Sequence, residues 1–92
     1  IKYAWDEGKR QQNRAKHGVD FEDIAGFDWS GAVIDEDTRS EYGERRFIAV
    51  GRIGARLHVL IFAARDDTVR VISLRKANAR ERKRYEQTQG LH

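Results

Sequence analysis

Cysteine and proline are both absent from the 92 residues. Without cysteine there is neither a disulfide framework nor a thiolate metal site. That absence fits a reducing compartment, and a cytoplasmic location is the expectation. No apolar run approaches the roughly 18 residues of a membrane span, and the first residues do not read as a signal peptide, so no membrane partner is expected. There is no internal repeat and no low-complexity linker. A chain of this length makes one domain, residues 1–92, and buries only about 60–65% of its unfolded surface, so its core is thin. The motifs of common enzymes are missing too: there is no Walker loop, GxGxxG, HExxH or GxSxG. His17, His58 and His92 are too scattered to read as a metal site, and neither metal nor cofactor is expected.

Charge is plentiful. Lys and Arg number 18 against 15 Asp and Glu, a net charge of only +3. Its distribution says more than its sum. Asp35, Glu36, Asp37, Glu41 and Glu44 crowd one segment, with Arg39 as its only base. Arg75, Lys76, Arg80, Arg82, Lys83 and Arg84 crowd another, with Glu81 as its only acid. The second segment is a local positive source that attracts phosphates, or else a solvated, salt-bridged helix face.

The pattern of elements is α+β. Asp6 is a good N-cap and Gly18 a natural C′ residue, which predicts a helix over Glu7–His17. Trp5, Gly8, Gln12, Ala15 and Val19 share one side of it, and Lys9, Asn13 and His17 form a second stripe. The apolar side is poor, so this helix depends on a sheet for its stability. A short second helix is predicted over Phe21–Gly26. A strand begins at Gly31–Ile34 and runs into the acidic loop. Three strands follow, ERRFIAVGR, RLHVLIFAAR and TVRVISLR, joined by turns at Gly51–Ala55 and Arg65–Thr68. Their consecutive apolar residues predict cover on both faces. In the last strand, alternation places Val69, Val71, Ser73 and Arg75 on one face and Arg70, Ile72 and Leu74 on the other. A final helix is predicted over Asn78–Gln87. Helices, then an antiparallel meander of about four strands, then a helix is the expected order.

Several residues are chemically able. His17 titrates near neutrality and can exchange a proton with a ribose hydroxyl, or simply cap a helix C-terminus. Glu44 and Arg46 point the same way along a strand, as a base and a phosphate clamp or as a structural ion pair. Arg75 ends the last strand, where its planar fork suits a phosphate or faces solvent. Tyr85 shares a helix face with Glu81 and can stack on a base, donate a proton, or pack on the sheet.

Trp5-Asp6, Lys9, Asn13 and His17-Gly18-Val19-Asp20-Phe21 resemble the opening signature of the BrnT toxin family. Gly43 to Gly51 resembles its central strand motif. Arg70 to Ala77, then Arg80-Glu81-Arg82 and Tyr85, resembles its ending, with Leu74 in place of the usual small residue. The likeness spans residues 3 to 86. It implies a RelE-like fold, ribonuclease activity on RNA, and a BrnA-type antitoxin that assembles with the toxin, two copies of each. It also implies a site: His17, Glu44, Arg46, Arg75 and Tyr85 as catalytic residues, and Lys9, Arg80 and Arg82 as RNA contacts. Glu44 or His17 is then the base, His17 or Tyr85 the acid, and Arg46, Arg75 and Arg80 the phosphate clamp. RNA cleavage of this kind needs no metal, because the 2′-hydroxyl attacks the adjacent phosphorus. The competing readings are a non-catalytic nucleic-acid binder, in which the basic helix docks on phosphates, and a protein-interaction module.

Overall fold

A computed structural model describes residues 1–39, 41 and 43–90. The chain runs β1 (Lys2–Ala4), α1 (Glu7–His17), a 3-10 helix (Phe21–Gly26), β2 (Val33–Asp37), β3 (Arg46–Ile53), β4 (Arg56–Arg65), β5 (Thr68–Lys76) and α2 (Ala79–Thr88). The strands form one sheet in the order β1-β5-β4-β3-β2. β2 to β5 pair antiparallel in succession, while β1 pairs parallel to β5. The expected antiparallel sheet of about four strands is therefore corrected to a mixed sheet of five. Lys2–Ala4 is β-compatible in sequence, but only its pairing with Thr68, Val69 and Arg70 makes it a strand.

The predicted helices are present, with Phe21–Gly26 wound as a 3-10 helix and the last helix starting one residue later, behind its N-cap. Two boundaries differ from expectation. Gly51 belongs to β3 rather than to a turn, because the β3–β4 loop is only Gly54 and Ala55, with Gly54 at φ 61°. Gly51 is needed for another reason. A Cβ there would lie 2.7 Å from the ring of Phe27, which lies on the strand. Likewise Asp35, Glu36 and Asp37 stand in β2 and not in a loop.

The sheet has two unequal faces. The back face carries the main core: Phe21, Ile24 and Phe27 from the 3-10 helix and its end meet Ala49, Leu60, Phe62, Val71 and Leu74. Trp29 adds edge-on contacts to Phe27 and Phe62 and donates its indole N–H to the Tyr3 hydroxyl at 2.7 Å. The front face carries α2, whose Tyr85 closes a smaller cluster with Leu57, Val59 and Ala77. Cover on both faces thus holds at the centre, and the front face beyond α2 stays open.

Helix α1 is not held by an apolar stripe. Gln12 and Ala15 are exposed, and the one buried residue of the helix is Asn13, at 6% exposure. β1 covers the edge of β5 only as far as Arg70, so the peptide groups beyond it need another partner. Asn13 supplies it. Its amide donates to the carbonyls of Leu74 (2.7 Å) and Val19 (2.9 Å), and its Oδ1 accepts from the Leu74 N–H (3.2 Å). Arg10 adds a bidentate pair to Asp20 at 2.8 and 3.0 Å, and this guanidinium holds the Asp20 carboxyl down at about 2.

Replacing Asn13 with Ala strands three backbone groups, each costing about 1–3 kcal/mol when left unpaired. Asn13→Ala is expected to lower unfolding free energy by roughly 2–4 kcal/mol in urea titration. A loss below about 0.5 kcal/mol would remove Asn13 as the anchor of the helix.

Candidate active site

A β-bulge decides which side chains reach the open front face. Ile61 pairs with Ser73, but Phe62 pairs with Val71, so Ile72 is the extra residue on β5. The bulge shifts the alternation by one. Val71 and Leu74 consequently share the back core, and Arg70 joins Ser73 and Arg75 on the front. Strict alternation had put Arg70 and Val71 on the wrong faces. The front floor is thus a grid. Arg46, Ile48 and Val50 lie on β3, Ala63, Ile61 and Val59 on β4, and Arg70, Ser73 and Arg75 on β5.

At one end of the grid stands Glu44, just before β3. Its carboxylate meets Arg46 at 3.6 Å and pairs closely with Arg70. Glu44 and Arg46 do act together, as their spacing suggested, and the third member of the group is a residue that sequence reading missed. Four residue steps along β4, from Ala63 to Val59, separate this row from that of Arg75, about 13 Å along the strand.

At the other end Arg75 holds Glu81 through two bonds of 2.8 and 2.7 Å. Glu81 also accepts from the Asn78 N–H at 2.9 Å while Asn78 caps the Glu81 N–H at 2.8 Å, a capping box that starts α2. One carboxylate therefore fixes both the helix and the guanidinium. Back at the Arg46 row, Arg39 pairs bidentately with the buried Asp37, the register partner of Arg46, at 2.8 and 2.9 Å, and its positive charge is felt as far as Arg75. Arg39 is the second functional candidate absent from the sequence reading. The only signal was its isolation as a base among acids.

His17 reaches this end from the side. Its stripe on α1, with Lys9 and Asn13, borders Ile72 and Ser73 in a shallow cleft of about 170 Å³. Burial pushes the His17 imidazole below its ordinary value, and the charges of Lys16 and Arg75 push in the same direction. His17 thus borders the Ser73 row, feels the charge of Arg75 and is held toward its neutral form, while Glu44 and Arg46 lie farther down the same face. The sequence-predicted residues fall into these two clusters instead of one.

The others lie elsewhere. The hydroxyl of Tyr85 donates to the Gly31 carbonyl at 2.7 Å, and its ring is buried under α2 with Arg52 above it at 5.8 Å. Packing on the sheet is what the structure gives this tyrosine. Arg80 is exposed on the first turn of α2, and Arg82 is half-buried one turn in. Lys9 is exposed beside His17's cleft. His92 lies outside the described residues. Among the described residues no group of three His, Cys, Asp or Glu is placed to hold a metal, and no helix is long and apolar enough to cross a membrane.

What chemistry the arrangement allows follows from its charges. Guanidiniums from two strands, β3 and β5, and from the β2–β3 connection face one floor, with an imidazole held toward its neutral form at its margin. Such a floor stabilises negative charge developing on a phosphate. No curated protein matches the chain. The family model described as the ribonuclease toxin, BrnT, of type II toxin-antitoxin system matches residues 5–81, a span holding His17, Glu44, Arg46, Arg70 and Arg75. The chain belongs to the BrnT family of ribonuclease toxins, and by that membership it is a toxin with an antitoxin partner.

Proposed function

We propose that the front face cleaves single-stranded RNA without a metal, by attack of a ribose 2′-hydroxyl on the adjacent phosphorus. The observation that carries this is His17 sharing a cleft with Ser73, within electrostatic reach of Arg75, at the margin of a floor whose other end holds Arg46 and Arg70. The neutral imidazole takes the 2′-hydroxyl proton as the oxygen bonds to phosphorus. The P–O5′ bond breaks, leaving a 2′,3′-cyclic phosphate. In an in-line displacement the entering and leaving oxygens lie on opposite sides of phosphorus, so one imidazole cannot serve both, and solvent over the open face protonates the 5′-oxygen. Arg75 meets the charge that builds on the non-bridging oxygens. Arg46 and Arg70 hold a phosphate further along the same strand, beyond the adjacent one, and Glu44, whose carboxylate oxygen is engaged by both, positions them. Lys9, Arg80 and Arg82 supply longer-range attraction for the chain. Tyr85, bonded to Gly31, supports α2 and takes no proton-transfer role.

Two helical segments, then an antiparallel succession of strands, then a helix lying on the catalytic face support a RelE-like fold. A BrnA-type antitoxin, two copies with two of the toxin, completes the assembly we infer, in the cytoplasm where the RNA is. Light scattering on the co-purified pair is expected to give the mass of that tetramer, and the mass of a 1:1 pair would refute the stoichiometry.

Purified protein is expected to cut labelled RNA in the presence of EDTA and to leave 2′,3′-cyclic ends. His17→Ala and Arg75→Ala should each lower the rate by about 10²–10³-fold. Retention of wild-type rate by both variants refutes the assignment, and a gel shift without cleavage favours a non-catalytic binder.

The His17 titration, followed by NMR of the imidazole protons, is expected to show a midpoint below 6.5. Because the folded state resists protonation here, His17 costs nothing above the unfolded-state value and lowers stability as pH falls through and below it. Arg75→Ala should raise the midpoint only partway, since burial is the larger cause. A midpoint above 6.5 contradicts the environment described.

A further inference from the structure

The Arg46–Arg70 end of the floor does not stop at those residues. Beyond them the front face opens into a cleft of about 650 Å³ at the β4–β5 hairpin. Register explains its shape. Ala63 pairs with Arg70, which pairs in turn with Ala4, and Arg65 pairs with Thr68 on the next row. Small side chains, Ala4, Ala63 and Thr68, therefore form the bottom, with Arg70 and Arg65 rising among them. Glu44 and Arg45 form one lip, with the Arg45 guanidinium turned to Glu36 and the Phe47 ring on the back face, and Asp66 marks the far one. Asp66 sits in the two-residue turn at φ 54°, which bends the chain sharply enough for β5 to return alongside β4.

These features match one ligand chemistry. A bottom of methyl groups leaves room for a flat ring, the guanidiniums of Arg65 and Arg70 suit phosphates, and a carboxylate at the lip can accept from a base amino group. Arg70 belongs both to this cleft and to the phosphate-holding cluster, so a strand of RNA leaving that cluster enters the cleft without crossing a barrier.

We propose that the cleft lined by Ala4, Ala63, Thr68, Arg65 and Arg70 is a binding subsite for a nucleotide further along the single-stranded RNA than the one next to the cleaved bond. It rests on the reading that the front face takes RNA. It adds that the path runs toward the β4–β5 hairpin, with Arg65 as a phosphate contact outside the catalytic group.

The test measures binding of a fluorescent 2′-O-methyl octanucleotide, which has no free 2′-hydroxyl and is not cut, by anisotropy over a range of salt. Arg65→Glu is compared with Arg56→Glu. The latter makes the same charge change on an exposed arginine at the other end of β4, about 30 Å away. Arg65→Glu is expected to weaken binding about tenfold and to reduce the log–log salt slope by about 0.7, one phosphate contact on a single strand. Arg56→Glu should change affinity less than about twofold, and Arg65→Lys should keep most of it. Equal effects of the two reversals overturn the subsite, because the loss would then be general electrostatics. Wild-type affinity in Arg65→Glu overturns it as well. Cleavage of an unmodified octanucleotide is read separately. Binding that behaves as expected without cleavage sinks the catalytic reading and leaves the subsite standing, whereas cleavage with no selective effect of Arg65 does the reverse. If the wild type binds no RNA at all, both fall.

Discussion

The three hydrogen bonds between Asn13 and the edges of Val19 and Leu74 are what the rest of the fold depends on. β1 is too short to cover β5, and the uncovered peptide groups would otherwise be buried without partners. A primary amide is the side chain that can donate and accept at once, so it stands in for a missing strand. Because α1 is docked through that amide and not through apolar contacts, its orientation about its own axis is set by one residue. That orientation brings His17, one turn further on the same stripe, to the margin of the front-face arginine floor.

The bulge at Ile72 is the second constraint. A single extra residue allows β5 to give Val71 and Leu74 to the back core and still present Arg70, Ser73 and Arg75 to the front. Without it, a strand that buries Leu74 would turn Arg70 away from Glu44. The guanidinium floor is therefore a product of strand irregularity, in keeping with the tendency of bulges to lie next to active sites.

The cations of the front face are held in advance. Glu44 engages Arg46 and Arg70, Glu81 engages Arg75, and Asp37 engages Arg39. Such pairing costs the substrate some competition for the guanidiniums and gains fixed forks that need little reordering when a phosphate arrives. Glu81 connects this to the fold, because the same carboxylate completes the capping box of α2. The helix that covers the small front cluster and the arginine at its margin are thereby coupled.

The amino-acid sequence by itself determined the first helix, through Asp6 and Gly18, and the three long strands, through their apolar runs, whereas the cap at Asn78 came only with the structure. These signals are local: a cap acts within one turn, and a buried strand shows in consecutive hydrophobic residues. It also singled out His17, Glu44, Arg46, Arg75 and Tyr85, through their chemistry and their family positions, and the fold sets the first four along one face in two groups while Tyr85 bonds Gly31. Tertiary structure alone decided that Lys2–Ala4 is a strand, that Arg70 joins the front face and Val71 the core, and that Tyr85 is occupied by Gly31. Each of these turns on a partner far along the chain: Thr68–Arg70 for β1, Phe62 for the bulge, Gly31 for the hydroxyl. Pairing over such separations leaves no periodic trace in the sequence, because the partner's identity matters less than where the folded backbone puts its peptide groups.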